Sequence, residues 1–325
     1  MTVIITGSIA TDYLMKYPGL FREHILIEQT GKISVSFLVD DKQMSRGGVG
    51  PNICYTMALL GERARLMGTV GQDFGEYRVW LEAQGVDTSL VVAYPDEFTA
   101  TYTVITDLEQ NQIAGFHAGA MRRGRELSYA GLDKRAVDFV VISPHDPVGM
   151  LRNAGECRSL GLRYVFDPSQ QLARLSGDQV AEGMDGAFGV TVNDYELELI
   201  KQKTGLEERD ILDRVEMLVV TRGAEGSSIM SREARVDVPV APASEVVDPT
   251  GVGDAFRGGL FTGMVRGYSW EVAGRMGSLA ATYCIEQVGT MNHHYTTPQF
   301  VARYRQVFGE TPELLDMLAR AAGTS

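Results

Sequence analysis

The segment 246–259 reads VVDPTGVGDAFRGG and contains residue types suited to holding an anion. Gly251 and Gly253, one residue apart, let the backbone turn tightly. The apolar run after Asp254 predicts a helix whose unpaired N–H groups point back at that turn. A helix start of this kind binds anions and stabilises charge developing on a phosphoryl group. Taken alone, Asp254 reads as a helix cap, where a carboxylate complements the dipole and is itself driven toward a lower pKa.

Three other short patterns are chemically suggestive but individually ordinary. Asn193-Asp194-Tyr195-Glu196 has the spacing of a capping box. Thr221-Arg222-Gly223-Ala224-Glu225-Gly226, after an apolar run, reads as a glycine-containing hairpin turn. Gly47-Gly48 reads as a turn, with Asn52 a few residues on. The chain contains neither a GxxxxGK[ST] phosphate loop nor a GxGxxG after its first strand, which weighs against the two commonest nucleotide-binding designs.

Positioning such groups requires a scaffold, and short β-rich runs alternating with helical patterns predict βα units around a parallel sheet. The strands are expected at 3–6, 137–142, 164–166 and 217–221, each apolar and bounded by turn residues. Helices are expected from Pro51, at a first helical position, to a stop at Gly61, over Phe74–Ala83, and in two long stretches after Asp254 and Ser269. Two regions break the rhythm: 33–41 (ISVSFLVDD) and 99–116 are β-prone without an intervening helix. They predict a small antiparallel β lid, about 13–46 and 97–118, inserted into a single α/β domain spanning 1–325.

The formal net charge of -12 argues against general nucleic-acid binding, which needs a basic footprint. Cys54, Cys157 and Cys284 are widely spaced and odd in number, so neither a disulfide framework nor a zinc site is indicated. The five histidines have no ligand spacing and are read as surface or loop residues. With no basic start before an apolar run and no membrane-length segment, a cytoplasmic location is expected.

DPTGVGDAFRGG resembles the C-terminal signature of the ribokinase-like (PfkB) family of sugar and nucleoside kinases, and the other patterns follow that family's order along the chain. The resemblance implies a ribokinase-like α/β/α sandwich with a mainly parallel sheet and a β lid. It implies Asp254 as general base and Gly251, Val252 and Gly253 as the anion hole. Gly47 and Gly48 become a lid hinge beside Asn52, and Asn193 with Glu196 acts on Mg2+ through water. ATP would lie against Asn193, Thr221, Arg222, Gly223, Gly226, Gly251 and Gly253. Many family members also use a monovalent cation such as K+.

GSIATD, SFLVDD, RGGVGPN, DPSQQLARLSG and VNDYE are similar to bacterial adenosine kinases within this family. That similarity implies a nucleoside wall of Ser8, Asp12, Ser36, Phe37, Gly48 and Asn52, with Tyr102, Phe116, Gln170, Gln171 and Arg174 contributing elsewhere. Asp12 would accept hydrogen bonds from the ribose hydroxyls. Tyr102 stands where that type carries Phe, keeping a stacking face and adding a hydroxyl, and a purine sandwiched between Tyr102 and Phe116 is expected. The expected activity is phosphorylation of the adenosine 5′-hydroxyl by ATP, in a homodimer joined through the lids. The alternatives are a kinase for another ribonucleoside or ribose, or a nucleoside-binding regulator without catalysis.

Overall fold

The computed structural model describes residues 2–24 and 35–323. Its strands are β1 (Thr2–Thr6), β2 (Ala10–Lys16), β3 (Asp41–Gly47), β4 (Arg65–Val70), β5 (Asp87–Ala93), β6 (Ala100–Thr106), β7 (Gln112–His117), β8 (Val137–Ile142), β9 (Tyr164–Phe166), β10 (Gly189–Asn193), β11 (Met217–Thr221), β12 (Ser227–Met230) and β13 (Arg235–Val238). Nine of them form one sheet in the order β13-β12-β11-β10-β9-β8-β1-β4-β5. All its pairings are parallel except those made by β12 and β13 at one edge.

The pleat explains the layers, because successive residues of a strand face opposite sides. Ile4, Val140, Ile142, Leu218 and Val220 pack on one face with Met150, Ala154, Val180 and Ile200 from the helices Pro147–Leu160, Gly177–Met184 and Asp194–Thr204. Their neighbours Val3, Ile5, Phe139, Val141, Met217 and Val219 pack on the other face with Ile53, Met57, Phe256 and Leu260 from the helices Val49–Leu59 and Val252–Val265. Strands covered on both sides read as unbroken apolar runs, which is why 137–142, 164–166 and 217–221 were legible to the residue.

The remaining strands form a second sheet, β3-β2-β6-β7. It departs from the expected antiparallel lid in two respects. β2 and β6 run parallel, since the chain passes through the main sheet between them. The strand expected at 33–41 is instead Asp41–Gly47, and residues 35–40 are irregular, while Ile33 and Ser34 lie outside the described residues. Phe37 packs with Tyr17 and Phe21, ring centroids 5.0 and 4.9 Å away, so this β-prone run satisfies its apolar side chain by ring packing rather than by strand pairing.

The helix at Pro51 starts two residues earlier than expected, at Val49, because Gly48 at φ 100° makes the turn into it. Proline is tolerated anywhere in the first turn, where its missing N–H has no intrahelical partner. Two histidines also differ from the surface reading. His293 is buried, its carbonyl accepting from Tyr55 Oη at 2.7 Å, and His145 is buried with Nε2 3.1 Å from Asn153 Oδ1. Among the described residues no helix is long and apolar enough to cross a membrane.

Candidate active site

The C-terminal ends of adjacent parallel strands gather polar groups: Ser8 follows β1, Ser143 β8 and Asp167 β9, while Asn193 and Thr221 close β10 and β11 in register with each other. Ligands of open α/β sheets bind at this end. Facing it is the start of the Val252–Val265 helix, whose cap is Gly251 at φ 79°. A side chain there would be strained by its backbone angle, and its Cβ would lie 2.8 Å from that of Thr290.

Asp254 is therefore the third helical residue, not the cap, and makes no side-chain capping bond. Its Oδ2 accepts from Asn52 Nδ2 at 2.8 Å, and its Oδ1 lies 3.4 Å from Arg257 Nη1. The side chain is 12% exposed. Burial pushes its pKa up to about 6, against the lowering contributions of Arg257 and Asn52, while Asp167 and Glu196 add to the rise. The expectation that the helix start would depress this pKa is thus overturned, with burial as the largest cause of the rise. A carboxylate titrating near 6 is a better proton acceptor at neutral pH than an ordinary one.

Asn52 is 4% exposed, and its Oδ1 has no protein partner. Its helix is pinned by Ser8, whose Oγ accepts from Val49 N–H at 3.3 Å, and by Gly48, where a Cβ would lie 2.4 Å from Ser8 O. Asp12, read from sequence as a residue after the first strand, lies on β2 with its carboxyl against Gly47. Burial raises its pKa to about 6.

The second sheet carries a continuous row. Ser45, Asp12, Tyr102 and Phe116 are paired in register across β3, β2, β6 and β7, and so project from one face. Directly paired residues have Cβ atoms about 5 Å apart, too close to admit a ring between them. Tyr102 and Phe116 therefore stand side by side as one surface, which replaces the expected sandwich. Phe37 belongs to the ring cluster with Tyr17 and Phe21 beyond the Lys16 end of β2, and Ser36 beside it is exposed. No contact ties either to Asp12 or Asn52 among the described residues.

Asn193 and Glu196 form a complete capping box: Glu196 N–H donates to Asn193 Oδ1 at 2.7 Å, and Asn193 N–H to Glu196 Oε2 at 2.8 Å. Burial raises the Glu196 pKa. Thr221 to Gly226 is a tight turn between antiparallel β11 and β12, closed by Arg222 N–H to Gly226 O at 2.8 Å. Arg222 itself bonds Ser228 Oγ at 2.7 Å, along β12. Thr221 shares a narrow gap with Thr191, Gly253 and Arg257. Gln171 is buried with Oε1 unpartnered, whereas Gln170 and Arg174 are exposed at the rim.

Sequence reasoning passed over Arg257, Asp167 and Ser169, although all three lie inside segments it singled out. Arg257 Nη2 donates to Asp167 Oδ1 and to Ser169 Oγ, both at 2.8 Å. The only available signal was an Asp and an Arg three residues apart on a helix, which is ordinary surface spacing.

The architecture is ribokinase-like, with the site at the carboxyl edge of the sheet. Residues 19–297 match the family model of the pfkB carbohydrate kinases, and the chain belongs to that family. A nucleoside kinase of Methanothermobacter thermautotrophicus is 30% identical over 318 residues, 96% of this chain and 98% of that one. The structure of Burkholderia thailandensis nucleoside kinase with inosine superposes with a TM-score of 0.84 at 36% identity, covering 96% and 99% of the two chains. Its complex described as ADP-inosine gives 0.82 at 38% identity, covering 96% and 97%.

Proposed function

We propose that this kinase transfers the γ-phosphoryl group of ATP to the 5′-hydroxyl of a purine ribonucleoside, with adenosine as first choice. The observation that carries the reading is the buried Asp254 carboxylate, third residue of a glycine-capped helix start and bonded to Asn52. Asp254 would take the hydroxyl proton as the oxygen bonds to phosphorus and the bond to the ADP oxygen breaks. The amides of Gly251, Val252 and Gly253 would hold the transferring group. Asp12, one side of the Gly47-Gly48 turn, and Asn52, the other, offer acceptors and a donor for ribose hydroxyls. Tyr102 and Phe116 offer a flat surface to a base, and the second sheet would serve as the lid.

Mg2+ fits the donor chemistry beside Asn193 and Glu196, hard oxygens in an anionic setting with Asp167 and Asp194 near Glu196. Among the described residues no three acidic, cysteine or histidine side chains cluster around a metal, so these residues suit an ion held by ATP phosphates through water. When bound, the ion would neutralise phosphate charge.

The relative solved with inosine and the hydroxyl added by Tyr102 favour a second reading, in which inosine or guanosine is taken as readily as adenosine. ADP release across adenosine, inosine, guanosine, cytidine and ribose tests both. A strong preference for ribose would overturn the nucleoside reading. Nucleoside binding without ADP release would leave only the regulator.

A further inference from the structure

Two carboxylates, the largely buried Asp254 and the fully buried Asp167, approach the two Nη atoms of one guanidinium. The Arg257 side chain is 12% exposed and Asp167 is fully buried. Nη2 is fixed twice, by Asp167 Oδ1 and Ser169 Oγ at 2.8 Å, and Ser169 Oγ in turn donates to Asp167 Oδ1 at 2.8 Å. Nε lies 3.5 Å from Thr191 Oγ1. Nη1, by contrast, meets Asp254 only at 3.4 Å. The guanidinium is thus held most tightly through Nη2 by Asp167 and Ser169, and its contact with Asp254 is looser than either of these.

We infer that Arg257, anchored by Asp167 and Ser169, is a positioning residue that keeps Asp254 ionised and aimed at the acceptor hydroxyl without forming a tight ion pair with it. A bidentate pair at 2.8 Å would occupy both the charge and the lone pairs of the proton acceptor. Anchoring the cation elsewhere leaves Oδ1 available. Gly253 sits close to this arrangement, since a Cβ there would lie 3.2 Å from Nη1 and the guanidinium would have to shift by a few tenths of an ångström. This inference rests on Asp254 being the proton acceptor.

Among the described residues, few charged and titratable groups act on Asp254. They are Arg257 on its own helix, Asp167 at the end of β9, Glu196 on the Asp194–Thr204 helix and the buried Cys284 thiol, which rises in pKa beside it. Asn52 supplies the one neutral bond. Arg257 is therefore the sole cation in the set, and Asp167 and Glu196 oppose it.

The experiment is the pH dependence of kcat/KM for adenosine in four variants. Arg257→Met should move the acid limb up by about one pH unit or more, with KM changed far less than kcat. Arg257→Lys keeps the charge without the fork and should recover at least half of that displacement. Asp167→Asn removes an opposing anion and should move the limb the other way. It also serves if Arg257→Met fails to fold, because it keeps Arg257 and its contact with Asp254 while removing the opposing anion. An acid limb unmoved in Asp167→Asn and in whichever Arg257 variant folds would reduce Arg257 to a core counter-ion and overturn the inference. Asp254→Asn separates the two levels: turnover retained there sinks the proton-acceptor reading itself, whereas loss there with unmoved limbs elsewhere sinks only the role of Arg257.

Discussion

Asn52 Nδ2 donates to Asp254 Oδ2 at 2.8 Å across 202 residues of chain, joining the helix that follows the Gly47-Gly48 turn to the helix capped by Gly251. Asn52→Leu keeps the branched outline of the side chain and removes the bond, so kcat/KM should fall about 10²-fold. Its acid limb should rise, because this bond lowers the Asp254 pKa. Steady-state kinetics from pH 5 to 9 checks both.

Asp254→Asn keeps shape and loses the acceptor. Turnover should drop by roughly 10²–10⁴-fold, while nucleoside affinity measured by calorimetry stays within a few-fold. Turnover close to the parent's would remove the assignment.

Asp12 has a folded pKa near 6 against an ordinary value of 3.8, with burial as the cause. Between those two values the unfolded chain releases the proton and the folded chain retains it, so rising pH costs stability across that window and the deficit persists above it. Asp12→Asn should then raise the Tm at pH 7.5 and leave it unchanged near pH 3.5, while weakening adenosine binding. A Tm gain of equal size at both pH values would contradict the burial account.

Tyr102 and Phe116 form one surface, and Phe116 is 55% exposed while Tyr102 is half-buried, so neither ring is fully buried in a core. Each should contribute roughly 0.5–1.5 kcal/mol to a stacked base. Tyr102→Ala or Phe116→Ala should raise KM for adenosine about tenfold with kcat nearly unchanged, because stacking is uniform binding. Phosphorylation of any weakly accepted ribose should hardly respond. Reduced Tm with unaltered KM would show that the rings serve the sheet instead.

β3 and β7 are the edges of the second sheet, and β7 is exposed along its whole length. Leu14, Met44, Ile113 and Phe116 are also exposed there. Open edges with apolar side chains pair readily with another copy, and we propose a homodimer through this sheet. Light scattering at micromolar concentration should give twice the 35.6 kDa chain mass, and Ile113→Lys with Met44→Lys should return the monomer.

How much of this was legible in the residues follows from the range of the forces involved. The sequence determined by itself the parallel strands at 137–142, 164–166 and 217–221 and the glycine turn into a helix at 251–254, because apolar runs, positive φ and helix starts are local properties. The second sheet was legible only as β-prone composition. Its parallel β2–β6 pairing and the Asp12–Tyr102–Phe116 row depend on partners far away in the chain. Only the tertiary structure placed Asp167 and Arg257, 90 residues apart, on the same ion pair and set Asn52 against Asp254. It also reversed the sign of the Asp254 shift, since a helix start acts on a carboxylate from within its own turn, whereas desolvation is imposed by every element that closes around it.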